Sequence, residues 1–413
     1  MPTRRTNVVR RRVIAGFFTV LGLVILWGYA PLLGAEEPLI SRLALDVPTP
    51  VIPVPTVETM LLIGVFYLAS GILGFVPRAA RVGTPMLWVS GALIFPAVLI
   101  AAAAGAQTNV QTMISETLRL GTPLALGALA GIYSERAGVV NIAIEGMMLM
   151  GAAFGFLVFV YTGNIWIGVG AALLIGALNA LLHAVLSISF KTDQIVSGTV
   201  INILAIGVTG YVRRTFLINA PSGRTTLPEI PIPLLSEIPF LGKILFTEKP
   251  IFYTMILLII GSHIVLFYTR WGLRARAVGE NPRAADTVGI NVYRTRYLNV
   301  IISGMIAGLA GAWFSLETVG SFDDGMTAGK GFIALAAMIF GKWTPFGAFG
   351  GAMLFGFADA LGTRFQILQI ELFGAPLPAQ FLQILPYVVT IIVLAGLIGR
   401  ATPPAAVGQP YEK

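Results

Sequence analysis

Cysteine is absent from the 413 residues. Disulfides, thiolate metal ligands and a cysteine nucleophile are therefore excluded. Histidine is nearly as scarce, with only His183 and His263 present. A metal centre or an imidazole-based catalyst would need both histidines or the help of carboxylates, so neither a metal site nor a catalytic residue is expected. Charge is the third shortage. Asp, Glu, Lys and Arg make up 11% of the chain, against roughly 25% in an average soluble domain. There is also no GxxxxGK[ST] phosphate loop, because Gly329-Lys330 and Gly341-Lys342 lack the upstream glycine and the hydroxyl. The chain is not expected to hydrolyse ATP itself, and no cofactor is implied.

In place of charge there is apolar sequence. Hydrophobic residues make up 56% of the chain, and the mean hydropathy is +0.85. That excludes an ordinary soluble globule, and it excludes disorder, which needs low hydrophobicity and high charge. A membrane-spanning helix takes ~20 apolar residues. Runs of that kind lie near 13–33, 57–76, 84–105, 118–134, 140–160, 165–188, 194–212, 251–270, 298–319 and 381–399. The stretch 327–361 differs: its apolar parts are short, Gly-rich and split by Lys342. It reads as a broken or re-entrant pair. The fold class expected is an all-α polytopic membrane helix bundle of about twelve membrane elements.

The net charge of +8 comes from 27 Lys and Arg against 19 Asp and Glu. In a bundle of this kind it reports topology before it reports nucleic acid, which is not expected as a partner. Lys and Arg collect in cytoplasmic loops. Placing Arg4, Arg5, Arg10, Arg11 and Arg12 inside also puts Arg78, Arg81, Arg136, Lys191, the cluster Arg270 to Arg296, Lys342 and Arg400 inside. Glu36, Glu37, Asp46, Asp323 and Asp324 then fall outside. Both termini are expected in the cytoplasm, with 13–33 as an uncleaved signal anchor. The segment 213–250 breaks the pattern, because parity puts it outside although it holds Arg213, Arg214, Arg224, Lys243 and Lys249. Long loops translocate largely regardless of charge. Prolines crowd two external loops, 34–56 and 221–250. Glycines recur four apart at Gly127/Gly131, Gly151/Gly155, Gly304/Gly308 and Gly347/Gly351, a spacing that lets helices approach closely in lipid.

The segment Gly272 to Arg296 is cytoplasmic in this topology and rich in signals. Asn281 suits a helix N-cap, Pro282 the first turn and Gly289 the C′ position. A helix of about two turns is predicted over 282–288, too short to stand without a partner surface. It is either a docking element for a cytoplasmic protein or a loop that caps itself on the bundle. In SERAGVVNIAIEG, Asn141 and Glu145 lie four apart on one face. An ionisable group at membrane depth faces the bundle interior or a pathway, so Glu145 is either a clamp, to Arg136 or a neighbouring loop, or a pathway lining. Gln194, Gly198 and Asn202 form a second stripe, and Asn179, His183 and Ser187 a third. Asn202 either bonds between helices or meets a neutral solute. Phe332 and Phe340, in the broken region, offer core packing or a stacking surface for a flat ligand.

Five ordered segments carry a family resemblance: SERAGVVNIAIEGMMLMGA, KTDQIVSGTVINILAIGVTG, GLRARAVGENPRAADTVGINVYRTRYLNVIISGMIAGLAGA, MTAGKGFIALAAMIFGKWTPFGA and LPYVVTIIVLAGLIGRATPPAAVGQPY. From about Leu118 to Tyr411 the chain resembles permease subunits of bacterial ABC importers. It is most similar to the nucleoside-type branch of the group that also imports simple sugars and branched-chain amino acids. The resemblance implies several partners in the bacterial cytoplasmic membrane. These are cytoplasmic ABC ATPase subunits, a second related permease, an external substrate-binding lipoprotein and the lipid bilayer itself. It implies that 282–288 is the coupling helix, with Glu280, Asn281, Pro282, Arg283, Ala284, Ala285, Asp286 and Gly289 as the ATPase-coupling residues. Asn141, Glu145, Gln194, Asn202 and Phe332 are the candidate pathway residues. The chain divides into an added region 1–83 with two helices and a Pro-rich loop, a permease core 84–400 and a tail 401–413. A simple-sugar or branched-chain amino acid permease is the alternative within the family. An ion-driven secondary transporter is the alternative outside it, although few carboxylates lie at membrane depth.

Overall fold

A long apolar segment satisfies its backbone polar groups in a membrane only as a helix or a closed barrel. The computed structural model of this chain takes the helical solution. It describes residues 4–34, 38–44, 51–105, 107–218, 225–367, 371–372, 375–376, 384 and 401–412. Among these residues, nine helices are long and apolar enough to cross a membrane, and Lys330–Phe340 is a shorter apolar helix. The chain is a multi-pass membrane protein. The run expected over 381–399 lies outside the described residues apart from Ile384, as do Glu36, Glu37, Asp46, Arg224 and Arg400.

Two compact units are present. The first comprises Met1–Ser115 and Asp359–Arg400. Its helices are α1 (Arg4–Tyr29), α2 (Thr56–Phe75) and α3 (Ala80–Ala102). They share a core of Phe18, Tyr67, Ile63, Leu87 and Ile100. The Pro-rich loop after α1 is partly extended: β1 (Ile40–Ala44) and β2 (Val51–Pro55) pair antiparallel, with Ile40 opposite Pro55. A third strand, β3 (Gln107–Asn109), runs parallel to β1. The buried Ser41 hydroxyl donates to the Ile100 carbonyl at 2.7 Å.

The second unit comprises Glu116–Ala358 and Ala401–Lys413. It begins within α4 (Val110–Arg136) and continues through α5 (Ile144–Thr162), α6 (Ile165–Ala184) and α7 (Gln194–Val212). After a connection carrying β4 (Ile230–Pro231), the short α8 (Leu241–Leu245) and β5 (Thr247–Glu248), it resumes with α9 (Pro250–Tyr268), α10 (Arg270–Glu280), α11 (Pro282–Thr287) and α12 (Val292–Ala312). Then follow α13 (Lys330–Phe340) and α14 (Pro345–Ile367), of which residues 345–358 belong to this unit. The starts are set locally: Asn164, Asp193, Thr269, Asn281 and Asn291 each cap a helix by accepting a backbone N–H.

The core of this unit is α12 packed on α5 and α6, and small residues make it possible. A methyl group on Gly176 would strike the Gly304 carbonyl, and one on Gly151 would lie 2.7 Å from the Gly308 Cα. The backbones of three helices thus meet at Gly151, Gly176, Gly304 and Gly308, the close approach that four-apart glycines permit. The broken region is explicit too. At 11 residues, α13 spans about 16 Å, half of a ~30 Å hydrocarbon core, whereas α14 is long enough to cross. Between them, Lys342 and Trp343 adopt left-handed φ values of 52° and 53°.

The basic segment that defied the charge pattern is matched in the fold. Arg213 pairs with Asp323 at 2.8 Å and with Asp324 at 3.5 Å. The Lys249 ammonium donates to the Glu317 carbonyl at 2.6 Å and to Thr226 at 3.0 Å. These cations are engaged by protein, and Arg213 sits at the same end of the unit as the acidic pair.

Candidate functional site

The non-helical run Val140–Ala143 leads into α5, and its backbone has no helix to satisfy it. Irregular backbone at membrane depth is tolerated only where protein or water meets its polar groups. Here side chains from two other helices, α6 and α7, do so. Gln194 Oε1 accepts from the Val140 N–H at 2.7 Å. His183 Nε2 lies 2.8 Å from the Val140 carbonyl and so carries the proton. Its Nδ1 then accepts from the Ser197 hydroxyl at 3.1 Å. Asn202 grips both sides of the turn, donating to the Ile142 carbonyl at 3.0 Å and accepting from the Gly146 N–H at 2.8 Å. Asn141 accepts from the Ala143 N–H at 3.1 Å and donates to Ser303 on α12 at 2.9 Å.

Glu145 belongs to the same cluster but reaches the other way. Its carboxyl oxygens accept from the Thr327 hydroxyl at 2.6 Å and from the backbone N–H groups of Gly329 and Gly331 at 2.9 and 2.6 Å. It therefore ties the start of α5 to the entry of α13, the neighbouring-loop form of the clamp rather than a tie to Arg136. Gly331 is held so closely that a Cβ there would lie 2.6 Å from the Glu145 backbone. The structure thus brings Asn141, Glu145, Gln194 and Asn202 around one loop. Phe332 sits on α13, one residue beyond the clamp, and is 47% exposed. Phe340 is buried and stacks on Phe355 at 5.4 Å, so the two rings do not form one face.

Arg136 has a different task. Its guanidinium donates to the Trp343 carbonyl at 3.0 Å, and the Trp343 indole N–H donates to Glu135 at 2.6 Å. The end of α4 therefore holds the turn that separates α13 from α14. In sequence, the alternation of Glu135 and Arg136 was the available signal, but its partner lies some two hundred positions away.

The second candidate site is α11. Asn281 caps it, accepting from the Ala284 N–H at 3.1 Å. Gly289 ends it at φ +83°. The Gly289 N–H donates to Asp286 and the Ile290 N–H to Ala285, a Schellman closure. The helix is Pro282–Thr287, one residue shorter than the predicted 282–288. Ala285 is its buried side, in a small core with Val278, Val292 and Tyr411. The other side presents Arg283, Ala284, Thr287 and Val288 to solvent, and Val288 is 74% exposed. Ahead of it, α10 is an amphipathic helix where the sequence signalled only a basic stretch; it buries Ala275 and Val278 and exposes Leu273 and Arg274. Glu280 accepts from the Ala405 N–H at 3.2 Å. The tail contact through Tyr411 was not foreseen, because nothing local to either segment announces it.

Among the described residues, no three His, Asp or Glu side chains gather to hold a metal. Ser187 lies 3.4 Å from His183, but the imidazole's other nitrogen is spent on a backbone carbonyl, so the pair lacks the orienting carboxylate of a catalytic triad.

The comparisons with known proteins show the family of the chain. A family model described as branched-chain amino acid transport system / permease component matches residues 113–394. The guanosine ABC transporter permease protein NupQ of Bacillus subtilis is 44% identical over 73% of this chain and 96% of its own length. The nucleoside ABC transporter permease protein NupC of Lactococcus lactis is 42% identical over 74% of this chain and 98% of its own. A putative glucose ABC transporter permease protein, TsgC13 of Haloferax volcanii, is 36% identical over 73% and 97%. No solved structure matches the chain.

Proposed function

Because the chain belongs to the branched-chain amino acid transport system / permease component family, we propose that it is the pathway-forming subunit of an ATP-driven nucleoside importer. The observation that carries the solute class is the 42–44% identity to two permeases named for guanosine and nucleosides, over nearly their whole length. The chain is not itself an enzyme; ATP hydrolysis belongs to cytoplasmic ATPase subunits. The other proposed partners are a second, related permease and an external substrate-binding lipoprotein, assembled in the bacterial cytoplasmic membrane. The likeness to a permease named for glucose supports a simple sugar as the second reading.

In this proposal α11 is the coupling helix. Glu280, Asn281, Pro282, Ala285, Asp286 and Gly289 build and seat it, while Arg283 and Ala284 meet the ATPase together with Thr287 and Val288. An exposed helix face mixing a cation with an uncovered valine is what a protein-docking surface requires. ATP-driven closure of the ATPases would pull on α11 and shift the bundle between inward-open and outward-open states. Asn141, Glu145, Gln194 and Asn202 would shape the pathway wall by holding the α5 entry and α13, with Phe332 beside them. The added N-terminal region, drawn at 1–83 from sequence, would brace the assembly; the packing of α3 on α2 and the family match from residue 113 favour counting α3 with it.

The test is uptake into vesicles carrying the assembled importer, with labelled guanosine, glucose and leucine offered separately. Guanosine uptake that needs ATP is expected. Uptake of glucose or leucine alone would refute the nucleoside reading. In the same vesicles, the variant Arg283→Glu with Val288→Glu should abolish uptake while the chain remains folded. Wild-type uptake by that variant would remove α11 from the coupling role.

A further inference from the structure

A six-residue helix is far below the length that is stable alone, so something must hold α11 at a defined angle to the bundle. Its own buried contact is a single alanine, Ala285. Beside Val278 of α10 and Val292 of α12, it is met by the C-terminal segment 401–412 through Tyr411, a segment to which the proposed transport function assigns no part.

That segment has no helix or strand of its own, yet every few residues it is anchored. Its Ala405 N–H donates to the Glu280 carboxylate at 3.2 Å. Its Ala406 N–H donates to the Gly279 carbonyl at 2.9 Å, and its Gly408 N–H to the Gly138 carbonyl at 3.3 Å. The Gln409 carbonyl accepts from Arg296 at 3.0 Å. Tyr411 is buried at 5% exposure. Its hydroxyl bonds Asp286 on α11, its carbonyl accepts from the Tyr293 hydroxyl at 3.3 Å, and its ring meets Tyr293 edge-on at 5.5 Å. Glu412 pairs with Lys191, in the connection before α7, at 2.9 Å. One short segment therefore touches α10, α11, α12, the α4–α5 turn and the α6–α7 connection.

Arg296 is the anchor that the sequence would not lead one to expect. It is the largest fully buried side chain of the described residues, and its Nε and Nη2 have no hydrogen-bond partner there. Burying a guanidinium with so few partners is costly, and the one bond it makes goes to the tail. Gly138 is shaped to the same junction. It sits at φ +87°, and a Cβ there would lie 3.0 Å from Arg296 Nη2 and 3.4 Å from the Ala406 carbonyl. The contact is not a continuous seal. A cavity of about 660 Å³ remains between Glu280–Arg283 and the tail, so α11 is held at discrete points.

We propose that the C-terminal segment is a strap that fixes the coupling helix to α12 and the α4–α5 turn, so that ATPase movement reaches the bundle as one rigid displacement. The proposal rests on α11 being the coupling element and adds the residues that make it stiff: Tyr411, Arg296, and Glu412 with Lys191.

The experiment uses the full assembly in lipid nanodiscs with two variants, Tyr411→Ala and a chain ending at Thr402. Amide exchange at Gly289 and Ile290 should accelerate about tenfold or more, a tenfold change corresponding to about 1.4 kcal/mol. Exchange in α5 and α6 should not change, and nucleoside imported per ATP hydrolysed should fall. Adding a peptide of residues 402–413 to the shortened chain should restore both readings. If the shortened chain does not assemble, Tyr411→Ala alone decides. Unchanged exchange at Gly289 and Ile290 with an unchanged import-to-hydrolysis ratio would overturn the strap. Ala284→Glu with Val288→Glu, at two exposed positions that take part in none of the tail contacts named above, separates the two claims. If it transports normally, the coupling assignment fails; if it is inactive while the tail variants couple normally, only the strap fails.

Discussion

Replacing Glu145 tests whether α13 is held in place by side-chain chemistry. The Glu145 carboxyl group receives three donors, one hydroxyl and two backbone N–H groups, all within 2.9 Å. A hydrogen bond to a charged acceptor contributes ~1.5–3 kcal/mol, and a buried donor left without a partner costs ~1–3 kcal/mol. The three share one acceptor group and will not add fully. Removing them in Glu145→Ala should therefore favour local opening of 327–331 by about 4 kcal/mol, a factor on the order of a thousand. Glu145→Gln keeps one acceptor oxygen but turns an NH2 toward the remaining donors. Its cost should be about 2 kcal/mol, roughly a thirtyfold effect. The assay is amide exchange at Gly329 and Gly331, read beside uptake. Exchange should follow the order alanine, glutamine, wild type, and uptake should fall in parallel because α13 no longer holds its place. If exchange at both glycines stays at the wild-type rate in Glu145→Ala, the clamp is refuted. A loss of uptake without such opening would assign Glu145 to direct contact with solute instead.

Two further outcomes follow from the same geometry. Asn202→Leu strands the Gly146 N–H and the Ile142 carbonyl, which Asn202 now serves, at about 1–3 kcal/mol each. A lower yield of assembled protein with faster exchange at Gly146 is expected, and a stable variant that merely transports less would return Asn202 to solute contact. In the loop outside the membrane-spanning helices, burial, reinforced by Glu317, Glu229 and Glu116 and opposed by Arg119, lifts the Glu248 carboxyl from its ordinary 4.5 to about 7. The folded state then holds this proton more tightly than the unfolded one. Its contribution is fully present below about pH 4.5 and is lost as pH rises through about 7. Protection of the β4–β5 pair should thus increase from pH 8 to pH 5, and Glu248→Gln should flatten that profile; an identical slope in the variant would show that another group is responsible.

Where the controlling residues are neighbours in sequence, the fold was legible. Asn281, Pro282 and Gly289 encode the start and stop of α11 within nine positions, and the structure has that helix to within a residue. Glycines four apart signalled close packing, and Gly304 and Gly308 lie against Gly176. The break before α14 was visible at Lys342. The device that stabilises it was not, because the left-handed turn at Lys342 and Trp343 depends on Glu135 and Arg136 from another helix. The strands β1 to β3 were missed for a related reason: proline-rich, external sequence carries no alternating pattern, and the pairing of β1 with β3 joins segments over sixty residues apart.

The same distinction governs the candidate pathway residues. Their spacing showed which of them share a helix face, but a helix face does not reveal what it serves. Asn202, Gln194 and His183 each spend polar atoms on the backbone of Val140–Gly146. A membrane protein that interrupts a helix must supply such partners or expose unpaired amides to an apolar core. The polar stripes thus serve the break before α5, which in the proposed transporter would be the movable part of the wall. Glu145 joins that break to the second one, at α13. Two interruptions joined by one carboxyl group can shift together, whereas two continuous helices in the same positions would resist any change of shape. On the proposed reading the polar residues of this core would act on solute through the backbone they hold, so substitutions there should register first as local opening and only then as lost transport.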